Sequence, residues 1–591
     1  MSANSLQDPY PEVELAPPPR AHPLAEPRLI SPLSHIANEE EEYERPPSFL
    51  PDPGARPKAK SLAGSVRAKK HESYNLASSN FLITSTGKRL NLPVPSNSKF
   101  DPLNWSAWKT AGAWVSVSFY SVVALTAAQA ASVVLDGIQA SFQSENVEPW
   151  LLKWLVTAPT LLMGLGCFLW IPLSIGLGRR PVLLVATITL LLALLGAGRA
   201  QTFSQLLVAV CFLGLCEGLA LSLAFLMVID MTYISQRPRG VALMWSISGC
   251  IGTSGVALVP VMSRHARNWR QFYYYWMIPA LASLLFSFLL YPETYFKRPT
   301  VAFDGLIVLQ SATEKLTVYQ DVEQDSEIYR DLPEHPTRAG FAGFRDRLGL
   351  ARSPFASWTS TFYCYIQICY CAANPLIFWV FITSSFNFAS MMFIGATYAR
   401  VLLKAPYNLP RDVVGTVNCA SGTGSVFAFI VWCLIITRLM RRHRGAPEAE
   451  HYLVGYLHPV IFGALSSVLY GFAVENEWHW GFFYLAYGLN GFSFVSLMIA
   501  NTLWVTEAFP RWAAPALAAV SGGCYLISFT MSFALVPWIN AHGYKWVGIE
   551  LMIFQIVGGS VALPVAFWGK NARQAIQGRW SDDRSGALRP L

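Results

Sequence analysis

The chain has 591 residues, of which 53% are hydrophobic, 14% aromatic and 14% charged. Soluble domains carry about 25% charged residues, so this composition excludes an ordinary soluble enzyme. The formal net charge is +8, but much of it lies in tails and loops, and we expect no nucleic-acid partner.

Residues 1–105 form a proline-rich and charged tail, with an acidic run over 39–44 and a basic stretch over 56–70. This composition predicts disorder. No basic and apolar leader segment stands at the start, so we expect the first membrane span to direct insertion. The charge runs fit a solvated tail or a regulatory segment phosphorylated at Ser61 and Ser65.

Twelve apolar stretches follow that are long enough, at about 20 residues, to cross a bilayer of about 30 Å as helices. The predicted spans are 111–135, 151–175, 182–200, 204–230, 240–262 and 272–291 in the first half, and 372–398, 412–437, 453–474, 480–506, 513–538 and 545–568 in the second.

These spans predict an all-α membrane protein of two six-helix halves. The predicted boundaries are an amino-terminal tail (1–105), a first half (106–291), a cytoplasmic central loop (292–371), a second half (372–569) and a carboxyl tail (570–591). Lys and Arg are almost evenly divided between the short loops of the two sides, but the central loop and tails are basic. We therefore expect both termini to be cytoplasmic.

The ten cysteines lie in or beside apolar segments and form no disulfide framework. Cys369 and Cys371 make a CxC pair without further ligands at metal-binding spacing, so we predict packing residues, and neither a metal site nor another cofactor.

Similar charges recur at matching places in the two halves. The fourth span ends at Asp230 and the tenth at Glu507, and each is followed by arginine. The loop after the second span carries Arg179 and Arg180, and the loop after the eighth carries Arg441 and Arg442. This pattern indicates an internal repeat.

At these loops the chain resembles the major facilitator superfamily, specifically the fungal twelve-span drug:proton antiporters. The similar segments cover about residues 101–575 and are Asp101 to Trp108, Gly178-Arg179-Arg180-Pro181, Asp230-Met231-Thr232-Tyr233 with Arg237, Asn268-Trp269-Arg270, Pro292-Glu293-Thr294 and Trp568-Gly569-Lys570 with Arg573. The resemblance implies a rocking-bundle transporter with a central cavity among the first, fourth, seventh and tenth spans, acting as a monomer in the plasma membrane.

Three signatures of that family are altered here. Ile175 stands where an acidic residue is usual, and Val210 and Leu213 stand where the fourth span usually has arginine and glutamine. The fifth-span antiporter motif is reduced to residues 252–256, without its proline and paired glycines. These departures put standard proton antiport in question, but not transport.

Glu217 is the most informative single residue, because it lies near the middle of the fourth span without a Lys or Arg in the same apolar stretch. An ionised carboxylate there costs at least about 2.5 kcal/mol. It fits a proton carrier that loads on one side and releases when hydrated on the other, or a binder of a cationic substrate. A protonated structural Glu is the alternative, since Gly214 and Gly218 mark a close helix approach.

The helix-terminal charges predict a gate, in which Asp230 and Glu507 pair with Arg179, Arg180, Arg441 and Arg442 across the bundle and separate as the halves rock. Local pairing with Arg237 or Arg511 is the alternative. The stripe of Gly249, Gly252 and Gly255 in the fifth span predicts close helix contact.

The predicted substrate-binding residues are uncharged polar and aromatic side chains, which suit a largely apolar organic molecule. They are Gln129, Trp379, Asn387, Asn490 and Asn501, with Trp504 set aside as an interfacial anchor. The sequence contains no P-loop, HExxH or GxSxG motif, and its sequon at Asn104 falls on the predicted cytoplasmic side.

We therefore expect a proton-coupled exporter of an amphipathic small organic molecule, without enzymatic activity. There are two alternatives. One is a proton-coupled nutrient importer of the same fold, and the other is a receptor or scaffold that no longer transports.

Overall fold

The computed structural model describes residues 101–142, 149–264, 267–296, 352–353, 355–442, 449–509 and 512–569, together with five short backbone strands. Phe81–Ile83 pairs antiparallel with Arg89–Asn91. Ala302–Phe303, Leu306–Gln310 and Leu316–Gln320 form a second antiparallel sheet. The side chains of residues 1–100 of the predicted tail, including Ser61 and Ser65, lie outside the described residues.

Helices make up nearly all of the rest. Those of the first half are α1 (Ala107–Val133), α2 (Leu135–Ser141), α3 (Pro149–Leu177), α4 (Arg179–Arg199), α5 (Phe203–Ala220), α6 (Leu223–Asp230), α7 (Arg237–Ile247), a π turn (Ser248–Gly252), α8 (Thr253–Gly255), α9 (Leu258–Met262) and α10 (Trp269–Leu289). The later ones are α11 (Trp358–Ala373), α12 (Pro375–Leu402), α13 (Arg411–Gly415), α14 (Val417–Arg442), a 3-10 turn (Ala449–Tyr456), α15 (Leu457–Glu475), α16 (Gly481–Ala508) and α17 (Ala513–Ser560).

Eleven helical segments in the described part of the chain are long and apolar enough to cross a membrane. The last of them, Ala513–Gly569, has 57 residues, which at 1.5 Å per residue is about 85 Å and far more than one crossing needs. It breaks at Gly543, whose φ of 78° is in the left-handed region that favours glycine. The break divides it into the eleventh and twelfth spans, and the twelve predicted spans are confirmed.

Several helices begin at residues whose side chains satisfy the first free N–H groups. Ser106 accepts from the N–H of Lys109 (3.4 Å) and Thr202 from that of Gln205 (3.3 Å). Asn374 accepts from Leu376 (3.0 Å), with Pro375 at the first helical position. These are the residue types that start helices.

Helix α11 (Trp358–Ala373) was not predicted from the sequence. It lies mostly within the predicted central loop and extends two residues past its end. Residues at and before its start cap the carboxyl end of α3, whose last carbonyls have no partner within that helix. Ser357 N–H donates to Ile175 O (3.1 Å), Arg352 Nε to Gly176 O (2.9 Å) and Ser353 N–H to Leu177 O (2.8 Å). Thr361 Oγ1 adds a bond to Pro172 O (3.2 Å), one turn earlier in α3.

The two six-helix halves meet along two seams. At the first, the eleventh span packs against the second and the fourth. Ser521 donates to Leu221 O of the fourth span (3.2 Å), and Trp154 of the second span packs on Phe533 with ring centroids 5.4 Å apart. At the second seam, Trp245 of the fifth span donates to Thr502 of the tenth (3.0 Å). These seams enclose the central cavity.

Candidate functional site

A cavity lies at the centre of the bundle, with walls from both halves. Its volume, taken as the space open to the centre of a water-sized molecule, is about 30 Å³. One water needs about 10–15 Å³ measured this way, so the cavity has room for about two waters in this conformation. An organic molecule enters only when the halves move apart.

Glu217 lines this cavity, as its position in the fourth span predicted. The residue is 1% exposed, and its Oε2 is buried without a hydrogen-bond partner in the part of the chain that the structure describes. It is the only charged residue among those that line the cavity. A polar group with no protein partner, turned toward a cavity, is available to a proton or a ligand.

Close backbone packing holds Glu217 in place. A methyl group on Gly218 would lie 2.6 Å from Met163 O, and one on Gly166 would lie 2.5 Å from Leu215 O. The second and fourth spans therefore touch backbone to backbone on both sides of Glu217, and the predicted close approach is confirmed. The fourth span then breaks at Ser222 (φ −139°, ψ −74°) between α5 and α6.

Four aromatic side chains form a continuous wall of the cavity. The Trp245 ring lies 6.3 Å from Phe494 at an interplanar angle of 89°, and Phe494 lies 5.6 Å from Phe388. Phe388 in turn lies 5.1 Å from Tyr525, again edge to face. Such edge-to-face contacts are the favoured geometry of aromatic pairs. Trp245 belongs to the first half and the other three to the second.

The glycine stripe of the fifth span packs closely against neighbouring spans, as predicted. A methyl group on Gly249 would lie 2.7 Å from Ser425 Oγ, one on Gly252 2.9 Å from Leu125, and one on Gly255 2.7 Å from Thr126. The π turn over Ser248–Gly252 interrupts the span at the cavity wall, which Ser248 and Gly249 line.

Of the five predicted substrate-binding residues, the structure places only Gln129 in the cavity wall. Trp379 donates to Gly558 O (2.7 Å), Asn387 to Ser493 (2.7 Å) and Asn490 to Ser390 (3.1 Å). Asn501 donates to Ser384 and accepts from Tyr456.

These four lie inside the second half, and the expectation that they line the cavity is wrong for this conformation. The physical reason is that each side chain donates a hydrogen bond to a neighbouring helix, which holds it within the second half. Asn387 Oδ1 and Asn490 Oδ1 have no partner among the described residues. Trp504 is also buried, at 1% exposed, and packs on Trp379 rather than at an interface.

A charged cluster lies at the end of the bundle where the second span ends, which we name the Arg179 end. Arg179 Nε lies 3.2 Å from Asp230 Oδ2, its Nη1 donates to Ser174, and its guanidinium lies 5.1 Å from the Tyr295 ring centroid. The Arg180 side chain donates to Phe288 O (2.8 Å) instead of an acid. The predicted pairing of Asp230 with Arg179 is present, but within the first half.

The ion pair that crosses between the halves at this end joins Arg237 of the fifth span to Glu507 of the tenth, at 3.7 Å. Arg237 was the alternative partner, but for Asp230 rather than Glu507. Arg441 and Arg442 are exposed at the end of α14, and in the described part of the chain neither forms an ion pair with Asp230 or Glu507. Their predicted pairing is absent from this conformation.

Glu293 completes the Arg179 end, and sequence reasoning did not assign it a role. Its carboxylate accepts from the backbone N–H groups of Arg179 (2.9 Å), Arg180 (3.2 Å) and Tyr295 (2.8 Å), so it caps the start of α4. Burial raises the pKa of the Glu293 carboxyl, and these N–H groups and the Arg179 charge oppose the shift. The signal was present in the Pro292-Glu293-Thr294 motif.

The opposite end of the bundle has its own ion pair between the halves. Asp136 of α2 lies 3.1 Å from Arg411 of α13, and both side chains are solvent-accessible. We name this the Asp136 end. The two halves are thus linked by an ion pair at each end, with the constricted cavity between them.

Twelve spans in two six-helix halves around a central cavity define a secondary transporter. The family model described as "Major Facilitator Superfamily" matches residues 117–529, and the chain belongs to this superfamily. Fungal proteins named as efflux pumps and MFS-type transporters are among its relatives.

Two curated relatives and one solved structure illustrate the similarity. An uncharacterized MFS-type transporter of Schizosaccharomyces pombe is 21% identical over 87% of this chain and 93% of its own length. Efflux pump radE of Floropilus chiversii is 22% identical over 79% of this chain and 82% of its own. The proton:xylose symporter XylE has the same fold, with a TM-score of 0.51 and 14% identity over 80% of this chain and 99% of its own.

Proposed function

We propose that this transporter exports an amphipathic small organic molecule in exchange for protons, with Glu217 as the proton carrier. The observation that carries the proposal is the buried Glu217 carboxyl at the cavity wall, whose Oε2 has no hydrogen-bond partner among the described residues. Fungal relatives named as efflux pumps support export as the direction.

Because three family signatures are altered in this chain, we assign proton coupling to the Glu217 carboxyl alone. Ile175, Val210 and Leu213 are all buried apolar residues, so none of them binds a proton. Glu217 is the only carboxyl of α5. Its protonation would remove the cost of a buried charge, and its hydration in the open state would favour proton release.

Alternating access would proceed by breaking one interhalf ion pair at a time. Opening at the Arg179 end separates Arg237 from Glu507, and opening at the other end separates Asp136 from Arg411. Arg179, Arg180 and Asp230 hold the first half rigid at its end. Arg441 and Arg442 act as gate residues only in a conformation other than this one.

We place the transporter in the plasma membrane as a monomer, with both termini and the Arg179 end in the cytoplasm. The basic central loop and tails support this orientation. The boundaries proposed above, with halves at 106–291 and 372–569, follow from the same topology. Large apolar side chains such as Ile278 and Leu192, 70% and 61% exposed, lie on the bundle surface and suit contact with lipid acyl chains.

The test is efflux of amphipathic fluorescent compounds from cells that express the wild type or Glu217→Gln. The wild type should lower accumulation, and a protonophore should abolish the difference. Glu217→Gln, at equal surface expression, should lose pH-driven efflux. Glu475→Gln, which neutralises an exposed carboxyl at the end of a span, is the matched control and should behave as wild type.

Two outcomes contradict the proposal. Efflux by Glu217→Gln at the wild-type rate removes the coupling role of Glu217. Proton-driven accumulation of a compound in place of its loss identifies the importer alternative.

A further inference from the structure

We propose that the central cavity selects organic cations, and that it holds an amine or quaternary ammonium group between the Glu217 carboxylate and the aromatic wall of Trp245, Phe388, Phe494 and Tyr525. This inference rests on the proposed function, because it takes the cavity to be the transport site. It adds the charge and chemical class of the substrate.

The charge of the cavity favours a monovalent cation. Glu217 is the single charged residue of the lining, and its Oε2 has no partner in the described chain. No arginine lines the cavity, and Arg179 and Arg237, at the Arg179 end, pair with Asp230 and Glu507. An ionised carboxylate that is buried without a counter-charge is unfavourable, so a ligand that brings one positive charge supplies what the protein lacks.

The aromatic wall supplies a second contact for such a group. Aromatic faces and polarised rings attract cations, and cages of several rings are how proteins bind quaternary ammonium groups. The four rings here form an unbroken chain of contacts, with neighbouring centroids 5.1 to 6.3 Å apart. A methylated ammonium group fits this surface because its own exterior is apolar.

The same lining disfavours a bare metal ion. Calcium takes about six to eight oxygen ligands, and transition metals need several nitrogen, sulfur or carboxylate ligands. The cavity offers one carboxylate, one amide and hydroxyl groups such as Ser248 and Ser421. Within the described residues no cluster of three or more His, Cys, Asp or Glu is placed to hold a metal.

The proposed ligand bridges the two halves. Glu217 and Trp245 belong to the first half, while Phe388, Phe494 and Tyr525 belong to the second. A cation held by both sets draws the halves together around itself. The cavity of this conformation has room for about two waters, so the ligand occupies it in a conformation in which the halves are farther apart.

The test compares a cation with its uncharged isostere on the purified full-length protein in lipid nanodiscs. The probes are benzyltrimethylammonium and neopentylbenzene, which differ by a nitrogen in place of a carbon and share size and shape. We expect the wild type to bind the ammonium compound at least about tenfold more tightly, measured by equilibrium dialysis. The quaternary compound carries no exchangeable proton, so its binding reports the charge of the site alone.

Variants test which residues cause the preference for the ammonium compound. Glu217→Gln should bring the two affinities within about twofold, whereas Glu217→Asp should keep the preference for the cation. Phe388→Leu should weaken the ammonium compound more than the isostere. Phe386→Leu is the matched control, because Phe386 stacks on Phe554 away from the cavity lining and should leave both affinities unchanged.

Equal affinity of the wild type for the two probes overturns the inference, and that measurement needs no variant to fold. A cation preference that survives in Glu217→Gln also overturns it. The proposed function fails separately: if pH-driven efflux is absent while the cation preference is present, the cavity is a cation site without proton-coupled export. If efflux depends on Glu217 and the preference is absent, export stands and the substrate is not selected by charge.

Discussion

The two halves hold their buried polar groups in different ways. In the second half, Asn387, Asn490 and Asn501 each donate a hydrogen bond to a serine on a neighbouring span. In the first half, Glu217 has an oxygen without a partner in the described chain, and glycine contacts with the second span hold its helix. Asn387 Oδ1 and Asn490 Oδ1 also have no partner among the described residues, so the difference is one of placement. The bonds that the amides donate join helices, whereas Glu217 lines the cavity, where a ligand can meet it.

This contrast assigns structure to one set of polar residues and function to the other. Both sets look alike in the sequence, as single polar residues within apolar spans. Only the neighbouring helix distinguishes them. Substitutions that affect stability in one half and transport in the other therefore test the contrast directly.

The largest effect is expected at the glycine contacts of the first half. Gly214→Val should abolish folded protein, because a β-carbon there collides with the backbone carbonyl of Pro159. Overpacking of a rigid backbone contact costs about 1–3 kcal/mol or more. The measurement is the monodisperse peak in fluorescence-detected size-exclusion chromatography.

Gly196→Val is the matched control for this change. It has the same helical setting and chemistry, but the nearest atom to a new β-carbon is Ala209 Cβ at 3.6 Å. A normal peak for Gly214→Val would show that the second and fourth spans are not in backbone contact.

An intermediate effect is expected from the amides. Asn387→Leu should destabilise the second half by about 1–3 kcal/mol, because it removes the buried hydrogen bonds that Asn387 donates to Ser493 Oγ and Gln555 Oε1. Gln129→Leu, in the cavity wall, should leave the melting temperature nearly unchanged and alter the KM for transport. Thermal unfolding in detergent and transport kinetics of both variants check the pair.

The reverse pattern would break the comparison between the halves. If Asn387→Leu kept its melting temperature and lost transport, the second-half amides would be binding residues after all.

The smallest expected effect is on the pH dependence of the melting temperature. Because burial raises the pKa of Glu293 in the folded protein, the folded state binds more protons than the unfolded state between the two values. This contribution to stability is present at low pH and is lost as pH rises through the raised pKa. Glu293→Gln, which stays neutral, should remove that slope from melting temperatures measured between about pH 4 and pH 7.

Glu475→Gln, at an exposed site, should keep the slope. A melting temperature of the wild type that rises with pH in this range, with the rise lost in Glu293→Gln, would show that the three N–H groups outweigh burial at this carboxyl.

The sequence predicted the twelve spans because length and hydropathy of each segment are local properties. It also located Glu217, since a lone carboxyl in an apolar stretch needs a special environment wherever its neighbours lie. It could not separate Gln129 from Asn387, because the difference depends on Ser493, more than 100 residues away in sequence.

The gate was predicted only in part for a related reason. Charges at helix ends indicate pairing, but the partner depends on how the helices are arranged. Glu507 pairs with Arg237 of the other half rather than with Arg441 or Arg442. Helix α11 was missed because its 16 residues are too few to read as a span and it carries no charge to mark its polar face.

The cap on α3 changes what counts as one half of this transporter. Arg352, Ser353 and Ser357 follow the first six spans in sequence, yet they close the last three carbonyls of the second span. A chain divided within the long connection before Arg352 would leave those carbonyls open in the first fragment and carry their donors on the second. The natural cut for expressing two fragments lies instead after α11, near Asn374, so that the cap remains with the helix it completes.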